Sequence, residues 1–203
     1  MNQPVTTETI QAVVVSRAEM MRYHDPERIQ AYCQSCEKYG MYWSCPPFEA
    51  QPFDRLADWS HGVVVTQKTP VVAASTPADL VDQFLVARQS LGERMLQCEG
   101  EGALAVIAGH CFGCGACTRP RGVACCVPAR MRYSLEALGF DVTGLAQGLA
   151  GQTIPWPESG LPDHLLIVGA LLCRDFDLAT RRAGAVRLSA RLAAPQESAR
   201  RIS

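Results

Sequence analysis

The chain has 203 residues, a formal net charge of −1, 48% hydrophobic and 19% charged residues, which fits one globular domain and excludes a disordered or collagen-like chain. With 19 basic against 20 acidic residues, no whole-chain field draws in nucleic acid or an anionic membrane. Ten cysteines are too few for a small disulfide scaffold and too clustered for ordinary packing.

The opening residues Met1-Asn2-Gln3-Pro4 lack a basic stretch followed by an apolar core, so no secretory signal is expected. The longest clean apolar run, Leu165 to Cys173, is shorter than a membrane span requires. The expected setting is a reducing cytoplasm, where clustered thiols bind metal or react more often than they cross-link.

In chain order, Ala12-Val13-Val14-Val15 reads as a buried strand. Asp25-Pro26 supplies an N-cap and a first-turn proline for a short helix that delivers Cys33 at its end. Gly62 to Thr66 is a second strand. Thr76-Pro77-Ala78-Asp79 is a capping box opening a helix to Gln97, with Leu80, Phe84, Leu91 and Met95 on one face and Val81, Leu85 and Leu96 beside them. Ala103 to Ala108 is a third strand. Ser134 to Gly139 reads as a helix with serine as N-cap and glycine as its stop. Gly151 to Pro162 is a loop, and Leu165 to Leu172 a last strand.

Strands alternating with helices predict an α/β layered domain, α+β being the other form, with about four strands and two cysteine-rich loops. This metal-binding domain is expected over residues 1–173. Residues 174–203 carry seven arginines (174, 181, 182, 187, 191, 200 and 201) against acids at 175, 177 and 197. That net of +4 reads as a basic C-terminal tail or solvated helix, with a docking arm for an acidic partner as the other reading.

Eight cysteines fall into two groups, Cys33-x2-Cys36-x8-Cys45-Pro46-Pro47 and Cys111-x2-Cys114-x2-Cys117-x7-Cys125-Cys126. The second lets one tight loop wrap three corners of a [4Fe-4S] cluster, as the bacterial ferredoxin run does, with Cys125 as fourth ligand and Gly113 and Gly115 giving backbone freedom. Zinc is the alternative, although it more often pairs one Cys-x2-Cys knuckle with another knuckle or a histidine pair. In the first group the two prolines turn the chain away from the metal, and zinc is the more natural occupant. Three local thiolates there leave a fourth position to Cys126, to His110, His61, Cys173 or water, or to nothing.

Cys98 and Cys173 read as buried packing residues. His24, His61, His110 and His164 read as ordinary histidines, although His110 abuts Cys111. Tyr39, Tyr42 and Trp43 read as an apolar lid, and Arg119 and Arg121 as offsets to cluster charge or, secondarily, holders of an anionic substrate. No dinucleotide glycine motif, Walker loop or His-Glu-x-x-His is present, nor the Cys-x3-Cys-x2-Cys loop of radical S-adenosylmethionine enzymes.

Cys33-x2-Cys36, Tyr39-Gly40, Trp43-Ser44-Cys45-Pro46-Pro47, Gly109-His110-Cys111-x2-Cys114-x2-Cys117 and Ser134-Leu135-Glu136-Ala137-Leu138-Gly139 together resemble an uncharacterised family of predicted metal-binding, cysteine-rich proteins, domain of unknown function 2284. The resemblance covers roughly residues 12 to 172. It implies cysteine-bound metal of the iron–sulfur kind on Cys33, Cys36, Cys45, Cys111, Cys114, Cys117 and Cys125. The family pattern carries arginine where this chain has Cys126, which favours a three-cysteine first site with an open position.

The expected function is an iron–sulfur protein with two [4Fe-4S] clusters, passing electrons to a redox partner protein, with no nucleic acid and no membrane. Two alternatives stand beside it. One is an enzyme whose three-cysteine cluster exposes an iron to a small-molecule substrate; the other is a zinc-stabilised binding module.

Overall fold

A computed structural model describes residues 8–49, 52–53, 58–72, 76–155 and 161–193. The elements run β1 (Thr9–Ser16), α1 (Arg17–Met21), α2 (Pro26–Gln34), β2 (His61–Pro70), α3 (Pro77–Gln97), β3 (Ala103–Val106), α4 (Val142–Ala150), β4 (His164–Cys173) and α5 (Phe176–Ala193). The strands form one sheet in the order β1-β2-β4-β3, and every neighbouring pair is antiparallel. The mixed α and β composition thus takes the α+β form.

Helices cover both faces of β4, which explains its unbroken apolar sequence. Ile167, Leu171 and Cys173 face a core shared with Ala87, Leu91 and Met95 of α3 and with Ala179, Ala183 and Val186 of α5. Leu166, Val168, Ala170 and Leu172 face the second core, with Met20, Leu135, Leu138, Phe140, Leu145 and Ala146. The alternation follows from the two-residue side-chain period of a strand. At Gly169 a Cβ would lie 2.8 Å from both the Val106 carbonyl and Met95 Sδ, so glycine lets β3 and α3 close on β4.

The expected caps form. Asp25 Oδ1 accepts from Arg28 N at 3.2 Å, with Pro26 in the first turn. The Thr76 hydroxyl accepts from Asp79 N at 3.2 Å, while Asp79 accepts from Thr76 N at 2.7 Å.

Three expectations change. Helix α3 meets the core only from Ala87 onward: Leu91 and Met95 are buried, but Val81, Phe84 and Leu85 are exposed. Residues 134–139 form a hydrogen-bonded turn, because Gly139, at φ +87°, ends it after one revolution. The Ser134 hydroxyl nevertheless caps it, accepting from Ala137 N at 3.1 Å. Asp141 then starts α4, accepting from Gly144 N at 3.0 Å.

The third change concerns the basic tail or solvated helix expected from residue 174: a helix forms, and one side of it is buried. Within it, α5 packs on the sheet, burying Leu178, Ala179, Ala183 and Val186. Its arginines occupy a helix whose apolar stripe the charge count concealed. The part of the expected tail at residues 194–203 lies outside the described residues.

A chain ending at Cys173 is therefore expected to lose its cooperative thermal transition and to bind a dye that reports exposed apolar surface. An unchanged melting curve would restore the tail reading.

Candidate metal centre

Helix α2 ends by presenting Cys33. Two tight turns follow, with Cys36 N donating to the Cys33 carbonyl at 3.1 Å and Tyr39 N to the Cys36 carbonyl at 2.9 Å. Lys38 N points at Cys36 Sγ, 3.5 Å away. Gly40, at φ +71°, reverses the chain so that its amide donates to the Pro46 carbonyl at 2.8 Å. Cys45 returns beside Cys33 and Cys36, whose charges both act on its thiol. Burial pushes Cys33 up and takes Cys45 to about 11 in the metal-free chain.

The second group begins where β3 leaves the sheet. Ile107 N donates to the Tyr133 carbonyl at 2.9 Å, and a parallel bridge pairs Ile107 with Ser134. From below, the buried Arg88 of α3 donates to the Ala108 carbonyl at 2.7 Å and to the His110 carbonyl. Gly113 N points at Cys111 Sγ, 3.3 Å away, repeating the amide-to-sulfur contact of the first group. Such contacts favour a thiolate and help to set the potential of a bound cluster. Cys111, Cys114, Cys117 and Cys125 line one pocket, walled by Tyr42, Trp43, Ser44, Val127 and Met131.

That wall shows that the two groups are built together. Arg119 donates to the Tyr42 carbonyl at 2.7 Å and to the carbonyls of Cys45 and Pro47. Its guanidinium lies 5.4 Å from the centre of the Trp43 ring. The Trp43 indole N–H donates to the Val123 carbonyl at 3.0 Å. The Ser44 hydroxyl accepts from Cys111 N at 2.9 Å, and His110 packs on Tyr42 with ring centres 4.2 Å apart. Burial, followed by the nearby charge of Arg88, takes His110 down to about 4, leaving it neutral at pH 7.

The structure thus gathers Cys33, Cys36 and Cys45 in one group and Cys111, Cys114, Cys117 and Cys125 in another. Cys126 lies within hydrogen-bonding reach of Cys114, on the second group's side. Among the described residues, no three His, Cys, Asp or Glu side chains already converge closely enough to hold a metal ion. Cys98 and Cys173 are buried in the core. Of the aromatic lid expected from Tyr39, Tyr42 and Trp43, the latter two wall the pocket of the second group. Arg119 serves backbone carbonyls, and Arg88 and Ser44, which bond to the second loop, are contacts that the spacing of cysteines could not reveal.

The family model described as predicted metal-binding protein (DUF2284) matches residues 20–173. The chain belongs to this family. No curated protein and no solved structure matches the chain. Within this family of predicted metal-binding proteins, the candidate donors of the present chain are thiols, which suit zinc, copper(I) and iron–sulfur clusters far better than magnesium or calcium. Four thiols on one pocket with apolar walls fit such a group. Among the described residues, no helix is long and apolar enough to cross a membrane.

Two outcomes test this arrangement. Replacing Arg119 by alanine removes three bonds between the loops and is expected to speed metal loss to a chelator by roughly tenfold or more, with the circular dichroism of the fold retained. Alkylation of the native metal-free chain, read by mass spectrometry, is expected to spare Cys98 and Cys173, because both are buried and burial raises both thiols.

Proposed function

We propose that the protein is an iron–sulfur electron carrier with one [4Fe-4S] cluster on each cysteine group. The observation that carries this reading is the single pocket lined by Cys111, Cys114, Cys117 and Cys125, one thiolate for each iron of a cubane. A bound cluster supplies one-electron storage. Tyr42, Trp43, Val127 and Met131 keep water from that pocket, and the amides of Lys38 and Gly113 stabilise charge on sulfur.

The surroundings suit transfer to a protein partner. Residues 111–132 contain Arg119, Arg121, Arg130 and Arg132 and no acid. Arg132 pairs with Glu99 at 2.5 Å, and Arg119 is engaged by carbonyls. Arg121 and Arg130 are exposed, and no ion-pair partner is found for them among the described residues. Tyr32, Met41 and Val123, each next to a group or its wall, are exposed apolar side chains. A basic surface with apolar contacts fits an acidic redox protein.

A second reading draws on one observation. With Cys126 beside Cys114, the first group has three thiols, as an enzyme with an exposed catalytic iron requires.

The test is iron, sulfide and zinc content of anaerobically purified protein, with electron paramagnetic resonance of the reduced sample. About eight irons per chain, four per cluster, and a signal that reoxidation abolishes are expected. Zinc without iron or sulfide would replace both readings by a zinc-stabilised binding module.

A further inference from the structure

A cavity of about 320 Å³ lies at the end of the sheet where β3 begins, away from the end that runs on to Cys111. Its volume is at the small end of the range for ligand pockets. Three chain segments wall it, and main-chain carbonyls sew them together. Ser60 N donates to the Cys173 carbonyl at 3.0 Å and Arg174 N to the Gly102 carbonyl at 2.9 Å. The Ser60 hydroxyl donates to the Arg174 carbonyl at 2.6 Å. The cavity is thus built before any ligand enters, which lowers the cost of binding one.

Leu104 and Leu172 give it an aliphatic floor, and Trp59 stands as one wall. Phe53 meets the Trp59 ring edge-on with centres 6.3 Å apart, and the Arg17 guanidinium lies 5.2 Å from the ring centre. Trp59 is only 5% exposed, yet its indole N–H has no acceptor among the described residues. A buried indole usually finds one. An unmet donor on the side chain that walls a cavity points to a ligand carrying an acceptor.

Asp58 and Arg174 complete the lining, and both are exposed. Gly102, at φ +75°, leaves room for the arginine: a Cβ there would lie 3.1 Å from Arg174 Nη2. Asp58 and Arg174 do not pair with each other, and neither has an ion-pair partner among the described residues. The cavity therefore offers one cation, one anion and an aliphatic floor.

We propose that this cavity binds a free α-amino acid with an aliphatic side chain. The carboxylate meets the guanidinium fork of Arg174 and supplies the acceptor that Trp59 lacks, the ammonium meets Asp58, and the side chain covers Leu104 and Leu172. Asp58 opposes a simple anion and Arg174 a simple amine, whereas a zwitterion satisfies both. The site is independent of which metal the cysteines hold.

The test uses the full chain with its metal as purified and titrates three probes by calorimetry: L-leucine, isocaproate, which lacks the ammonium, and L-leucinamide, which lacks the carboxylate. Expected is saturable binding of L-leucine at one site with a Kd of about 1 mM or tighter, and binding of either truncated probe weaker by about tenfold. Arg174→Gln is expected to lower L-leucine to the affinity of L-leucinamide, and Asp58→Asn to that of isocaproate. Trp59→Phe, which keeps a ring and removes the N–H, weakens L-leucine and isocaproate but not L-leucinamide. Leu104→Trp, which fills the floor, abolishes binding while the melting curve stays cooperative. No saturable binding of L-leucine would overturn the proposal. So would isocaproate or L-leucinamide binding as tightly as L-leucine, or L-leucine affinity unchanged by Arg174→Gln and Asp58→Asn in chains that melt like the wild type.

Discussion

The cross-lacing of Arg119 and Trp43 between the cysteine loops is the constraint on which the rest of the site depends. Inside the first loop the amides of Gly40 and Cys45 already pair with the carbonyls of Pro46 and Tyr42, but the loop presents further lone pairs on its carbonyls to the second loop. The planar fork of Arg119 meets three of them at once, a geometry lysine cannot reproduce. Trp43 returns a bond in the opposite direction. Each loop therefore owes its shape to the other, and the two thiol groups form one chemical unit.

The scaffold reaches this unit chiefly through α3. Its second half fills the core with Leu91 and Met95, and the same stretch places Arg88 beneath the second loop. A charge carried on a helix fixed by packing is held more precisely than one on a loop. Arg88 lies among Tyr42, Cys111, Cys45 and Glu136, so the position of one helix sets the electrostatics between the two groups.

What the sequence made legible was local. The four strands follow from β-branched apolar runs, the caps of α2 and α3 from Asp25-Pro26 and from Thr76 with Asp79, and the thiol groups from cysteine spacing. The rest depends on partners distant in sequence. Arg119 bonds to carbonyls 72 to 77 residues away, and a carbonyl leaves no trace in residue identity. Val81, Phe84 and Leu85 obey helical periodicity yet stay exposed, because periodicity cannot tell where a sheet stops. Ser134 to Gly139 carries helix signals in a segment too short to propagate them. The arginines of α5 masked the apolar stripe, Leu178, Ala179, Ala183 and Val186, by which that helix packs on the sheet.

That last helix has a consequence for how the molecule is made. Helix α5 lies across β1, where Arg187 donates to the Ala12 carbonyl, so the earliest strand acquires its cover from the latest helix. Both cysteine loops leave the ribosome before that cover exists, while the sheet beneath them is still open. Their thiols thus spend the interval of synthesis as reactive groups on an unfinished platform, and a reducing milieu matters most at that moment, before any metal has a finished seat to enter.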